Sequence, residues 1–278
     1  MYSNHIMDKC KFVMRNKKPC RNNCFGSLEF CHLRTHNEDK NAFDVEMTRK
    51  LDEFKDSTLP KNSFTIVSIN RDGACMFKCI AKYLIANLDK IEETHKDHHT
   101  AIKAIMDGYS NKNDIDEEVS EYVQSILKKW VVNNSETRIP KFDMSLRELI
   151  TIVHGEEGIL TLEDYDEYFS IYAGDCDFVV ETEMVNGKEI NKKIEIPERW
   201  GTVLELYAVH KIFDLNINIF LLKKFDKRAG KIAVCMNRSK EYRFYLSETF
   251  ESENSDADTM NLYFNTMYGS SHYQLLLN

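Results

Sequence analysis

Two residues far apart in this chain have the makings of thiol chemistry. The first is Cys75, in the run Arg71-Asp72-Gly73-Ala74-Cys75-Met76-Phe77-Lys78-Cys79-Ile80. Phe64 to Ile69, just before it, is apolar and β-branched and reads as a short extended segment. Beyond it, Met76, Ile80, Tyr83, Leu84 and Leu88 recur at helical spacing. Cys75 therefore stands where a loop becomes a helix. Unpaired amides and the helix dipole put partial positive charge there, which favours thiolate over thiol. Gly73 lets the loop turn successive N–H groups toward one point. A nucleophile beside such donors is half of an acyl-transfer site.

The other half is a base. His272 follows the turn Gly269-Ser270-Ser271 and opens the apolar run Tyr273-Gln274-Leu275-Leu276-Leu277, which reads as a strand. A histidine at the mouth of a buried strand is held rigidly while its ring faces a cleft. Cys first and His last, about two hundred residues apart, suits a cysteine protease whose pair meets only in space. Cys79, one turn beyond Cys75, reads as a small core residue.

With their surroundings these residues resemble a known family. Asp72-Gly73-Ala74-Cys75-Met76-Phe77 resembles the Asp-Gly-x-Cys-Leu-Phe signature of OTU (ovarian tumour) cysteine proteases. Trp200-Gly201 with Glu205-Leu206 and Ala208 is similar to that family's Trp-Gly…Glu-Leu-x-Ala helix, and Ile217-Asn218-Ile219 to the strand after it. Leu262-Tyr263-Phe264 and His272-Tyr273 resemble its closing strand and His-Tyr motif. Order and spacing agree over residues 60–278. The Lys/Asn/Ile-rich make-up and the Cys/His leader are similar to OTU proteins of large DNA viruses.

The resemblance implies a papain-type α/β (α+β) fold with a central, mostly antiparallel sheet between helical layers. It also implies thiol-dependent hydrolysis of the isopeptide bond after the C-terminal glycine of ubiquitin. Cys75 would be the nucleophile and His272 the general base and acid. Backbone amides of Cys75 and of the Asp72-Gly73-Ala74 loop would hold the oxyanion, with Asp72 shaping that loop. The implied partners are ubiquitin, polyubiquitin and ubiquitin-like modifiers, and no cofactor is required for catalysis. The family often carries Asn or Asp two residues after its histidine to orient the ring; here that position is Gln274, on the same strand face. Its amide oxygen accepts from an imidazole N–H but stabilises imidazolium less than a carboxylate, and Asp72 or another group is the alternative orienter. A poorly catalytic domain that binds ubiquitin without cutting it is therefore a second reading.

Length and charge divide the chain. At 278 residues, 42% hydrophobic and 29% charged, it has room for one sizeable domain and an appendage. No stretch is apolar long enough to span a membrane. The first residues lack an apolar signal core, which puts the chain in the cytoplasm, or a host's. Residues 1–41 carry +4 against −8 for the whole chain, leaving −12 on residues 42–278. The basic segment holds Cys10, Cys20, Cys24, Cys31, His32 and His36. Three tetrahedral Zn²⁺ sets fit the spacing: Cys20, Cys24, Cys31 and His36; Cys10, Cys20, Cys31 and His36; or Cys20, Cys24, His32 and His36. A segment so short and polar has little else to fold it, and an incidental-cysteine tail is the plain alternative. Its scattered cations lack the interleaved aromatics of a nucleic-acid surface. A third reading makes this segment, with zinc, an interaction module that does the main job.

The elements that must position the pair follow from periodicity. Residues 42–62 read as a helix over 42–55 and a linker, a strap on the main domain over 63–278. Glu92–Asp107 reads as a solvated helix despite His95, His98 and His99, and Asp114–Val132 as an amphipathic one. Ser145-Leu146-Arg147-Glu148 is a capping box, and Thr161-Leu162-Glu163-Asp164 opens a helix that ends at Gly174. Phe178–Ile196 reads as a hairpin around Asn186-Gly187, an insertion on the OTU-like core. Pro197 predicts the start of a helix running to Asp214. Strands are expected over 216–222, 231–236, 242–246, 261–268 and 272–277, with an acidic loop at 251–258.

Overall fold

The computed structural model describes residues 11, 14, 18–20, 39–71, 73–149, 178–185, 188–195, 201–226, 231–234, 241–266 and 272–278. Helix α1, Lys40–Asp56, starts at Asp39, whose carboxylate accepts from the amides of Asn41 and Ala42. Phe54 on it meets Phe225 at 6.1 Å between ring centroids. Arg243 ties down the end of the strap, donating to Thr58 Oγ1 and to the carbonyls of Lys55 and Thr58. Strand β1, Thr65–Val67, and α2, Cys75–Ala86, then bracket the loop of the candidate nucleophile.

Three helices follow: α3, Leu88–Thr94; α4, Lys96–Gly108; and α5, Lys112–Asn133. The stretch expected as one solvated helix is two, broken at His95 (φ −137°, ψ 60°), and its histidines face inward. His98 and His99 continue the stripe of Ile102, Ile105 and Met106 at helical spacing. His98 Nδ1 lies 2.8 Å from Tyr122 Oη, and the His95 and His98 rings both lie against Phe213. The charged residues interleaved in the sequence hide this apolar face. On α5, Val119, Val123, Leu127 and Val131 are buried at the expected spacing.

Two short strands, β2 (Arg138–Ile139) and β3 (Met144–Ser145), pair antiparallel. The capping box forms: Ser145 N–H donates to Glu148 Oε2 at 2.8 Å and Glu148 N–H to Ser145 Oγ at 3.1 Å. The helix expected from Thr161 lies outside the described residues, as do Pro197 and Trp200. The hairpin is present as β4, Phe178–Val185, and β5, Lys188–Glu195, a separate two-stranded sheet closed by a two-residue connection. Helix α6, Val203–Phe213, starts later than Pro197 predicts. Thr202 accepts from Leu204 N–H and Glu205 accepts from Thr202 N–H at 2.7 Å, so the first orphan amides are satisfied there.

Five more strands complete the main sheet: β6, Asn216–Asp226; β7, Lys231–Val234; β8, Arg243–Phe250; β9, Thr259–Asn265; and β10, His272–Leu277. The order runs β1-β10-β9-β6, with β7 and β8 also paired to β6. Among the described strands of this sheet every pairing is antiparallel except β6 with β9. One face packs under α2, α5 and α6, where Ile80, Leu84, Leu127 and Leu206 meet Ile217, Leu262 and Leu275. The other carries Phe220, Leu222, Phe244, Tyr263 and Leu276 with Phe64 and Ile66. Alternation along β6 sends Ile217 and Ile219 to the first core and Phe220 and Leu222 to the second, while β8 bulges by one residue between Leu246 and Glu248. The architecture is mixed α/β, a mostly antiparallel central sheet flanked by helices. Among the described residues no helix is long and apolar enough to cross a membrane.

Candidate active site

Cys75 is the first residue of α2, as its place between loop and helix requires. Ala74 before it supplies no side-chain cap, and the first helical bond is Lys78 N–H to Ala74 C=O at 3.0 Å. The amides ahead of that bond belong to the positive end of the helix. The helix is fixed from beneath: Met76, Cys79, Ile80 and Leu84 are fully buried. Gly201, the residue before the Thr202 cap, abuts Met76. A Cβ there would run into Met76 Cε and lie 2.9 Å from Met76 Cβ. The seat of Cys75 thus depends on a missing side chain on the opposite element.

His272 is the first residue of β10 and is buried. The next residue makes the junction with the helix: Tyr273 N–H donates to Cys75 Sγ at 3.4 Å. Adjacent Cα atoms are about 3.8 Å apart, so the imidazole-bearing residue stands one peptide from the sulfur's donor. A donor aimed at sulfur favours the anion. Alternation turns the Tyr273 ring into the helix-side core, where it stacks on Phe264 at 4.6 Å. Burial above all, with the nearby charges of Glu248, Cys75 and Glu205, holds its phenol well above the ordinary range. Tyr273 therefore stays protonated and is no base. Burial, with the Cys75 charge adding, also pushes the Cys79 thiol well up. Cys79 therefore stays protonated.

Gly73 and Ala74 are half-buried in the loop, and Asp72 lies outside the described residues. Gln274 is half-buried and sits across from Tyr263, while His272 sits across from Asn265, a buried amide. Sequence spacing did not single out Asn265 or the Tyr273 amide, because strand register carries that information. The Glu205-Leu206-x-Ala208 motif has a structural content of its own: Glu205 closes the capping box, while Leu206 and Ala208 are fully buried. Of the candidate metal ligands, Cys20 is buried, and Cys10, Cys24, Cys31, His32 and His36 lie outside the described residues. Among the described residues no group of three or more His, Cys, Asp or Glu side chains is arranged to hold a metal ion.

No protein-family model matches this chain, and no curated protein matches it. Three solved chains do. One is the OTU domain of OTUD1, 12% identical over 86% of this chain and 100% of that one, with a TM-score of 0.36. A likeness so loose carries no argument, and the architecture stated above rests on the pairing of its own strands.

Proposed function

We propose that this chain is a cysteine-type deubiquitinating peptidase, cutting isopeptide bonds after the C-terminal glycine of ubiquitin. The observation that supports it is the 3.4 Å contact from Tyr273 N–H to Cys75 Sγ, which brings the front of the domain and its tail to one point. In this reading His272 takes the thiol proton or holds the thiolate as an ion pair, and the sulfur attacks the carbonyl. Amides at the start of α2 and in the Asp72–Ala74 loop receive the oxyanion. His272 then protonates the leaving lysine amine, and water cleaves the thioester. The motif resemblance supports ubiquitin, polyubiquitin or a ubiquitin-like modifier as the acyl donor. A thiolate nucleophile needs a reducing compartment, in keeping with the cytoplasm.

One observation favours a second reading, a domain that binds ubiquitin without cutting it: Cys75 is only 8% exposed. A ubiquitin carrying a C-terminal electrophile separates the two. Covalent labelling of the wild type that is lost in Cys75→Ala supports the peptidase. Reversible binding with no adduct supports the alternative. A panel of defined di-ubiquitins then reads the linkage preference.

A further inference from the structure

The antiparallel register of β9 and β10 places two buried polar residues directly opposite each other, His272 and Asn265. Residues so paired carry Cβ atoms about 4.5–5.5 Å apart, whereas residues i and i+2 along one strand are about 6.6 Å apart. Asn265 is thus the nearer neighbour of His272, and Gln274 the farther one. The two amides also differ in setting. Asn265 is 8% exposed at the end of a strand held between β6 and β10, whereas Gln274 is half-buried. A buried carboxamide must find polar partners. Holding Asn in one geometry also fixes one rotatable bond fewer than holding Gln.

We infer that Asn265 is the residue that positions the His272 imidazole, an inference that rests on the Cys75–His272 reading above. Its amide oxygen accepts the ring N–H turned away from the sulfur. That sets the tautomer and leaves the other ring nitrogen to exchange a proton with Cys75. Asn265 is a positioning residue, acting through His272.

The test reads Cys75 alkylation by iodoacetamide against pH, which needs no ubiquitin, alongside kcat and KM on a ubiquitin C-terminal fluorogenic amide. The variants are His272→Ala, Asn265→Ala, Asn265→Asp and Gln274→Ala, each checked for an unchanged thermal unfolding midpoint. The wild type should alkylate well below the pH at which an ordinary thiol ionises, and His272→Ala should move the profile up to the ordinary thiol. Asn265→Ala should move it part of the way and lower kcat by roughly ten- to a hundredfold with KM unchanged. Asn265→Asp should restore the rate and carry the alkaline limb to higher pH, because a carboxylate stabilises imidazolium. Gln274→Ala should stay within about twofold of wild type.

A His272→Ala profile that matches wild type overturns the Cys75–His272 reading itself. If His272→Ala responds and Asn265→Ala does not, the positioning role alone is wrong, and likewise if Gln274→Ala reproduces the loss. Should Asn265→Ala fail to fold, Asn265→Asp decides. A folded Asp variant whose alkaline limb stays put overturns the inference.

Discussion

Cys75 and Cys79 stand one helical turn apart on α2 and differ in chemistry. Burial, with the Cys75 charge adding, raises the Cys79 pKa, so its protonated form persists to higher pH, and only a thiolate alkylates. Iodoacetamide on the native protein near neutral pH is expected to modify Cys75 and spare Cys79, as peptide mass mapping would show. Equal modification would mean that the core face of α2 is open. Gly201 makes a second residue-level case. Its missing Cβ leaves room for Met76, which is fully buried and adjacent to Cys75. Gly201→Ala should cost about 1–3 kcal/mol in urea unfolding through overpacking, and should lower the Cys75 alkylation rate as Met76 shifts. In the sequence Gly201 was legible only as half of a Trp-Gly motif. The steric reason needs two elements in contact, and no spacing along one chain supplies that.

The elements were read best where a local signal was strong and had no rival. The loop-to-helix change at Cys75, the Asn186-Gly187 hairpin and the Ser145 box are such cases, each forming where periodicity or turn chemistry put it. Pro197 was the expected start of helix α6, but the capping box of Thr202 and Glu205, which satisfies orphan amides, sets the described start. Thr202→Ala should therefore cost about 0.5–2 kcal/mol, measured by urea unfolding. Helix α4 departs from the expected solvated helix because histidines open its inward stripe of Ile102, Ile105 and Met106 and charged residues interleave with it. Burial first, then the neighbouring His95, lowers the pKa of His98 from 6.5, with Asp97 opposing. As pH falls, the unfolded chain takes up this proton before the folded one. Stability then drops from the unfolded pKa down toward the folded one, and the deficit is complete below both. Replacing His98 with Gln should flatten the pH dependence of the unfolding midpoint on the acid side of neutrality. An unchanged slope would show that another group governs it.

The fold closes with its last strand. β10 lies between β1 and β9 and buries Tyr273, Leu275 and Leu276, so the sheet is incomplete until the end of the chain is in place. Ending the chain at residue 271 should abolish folding altogether, seen as loss of the cooperative transition, whereas His272→Ala should fold and fail only in thiol chemistry. Removing residues 1–38 should leave hydrolysis intact if the domain over 63–278 is the functional part. That removal also isolates the acidic part of the chain, since residues 42–278 carry −12 against −8 for the whole chain. A field of that sign speeds encounter with a partner that presents a basic face and tail, and salt screens it. For the truncated protein, kcat/KM on a ubiquitin substrate should fall several-fold between about 20 mM and about 300 mM salt. Alkylation of Cys75 by uncharged iodoacetamide should not change over the same range. If both rates fell together, salt would be acting on the Cys75–His272 pair. If neither fell, the acidic surface would have no part in bringing the substrate in.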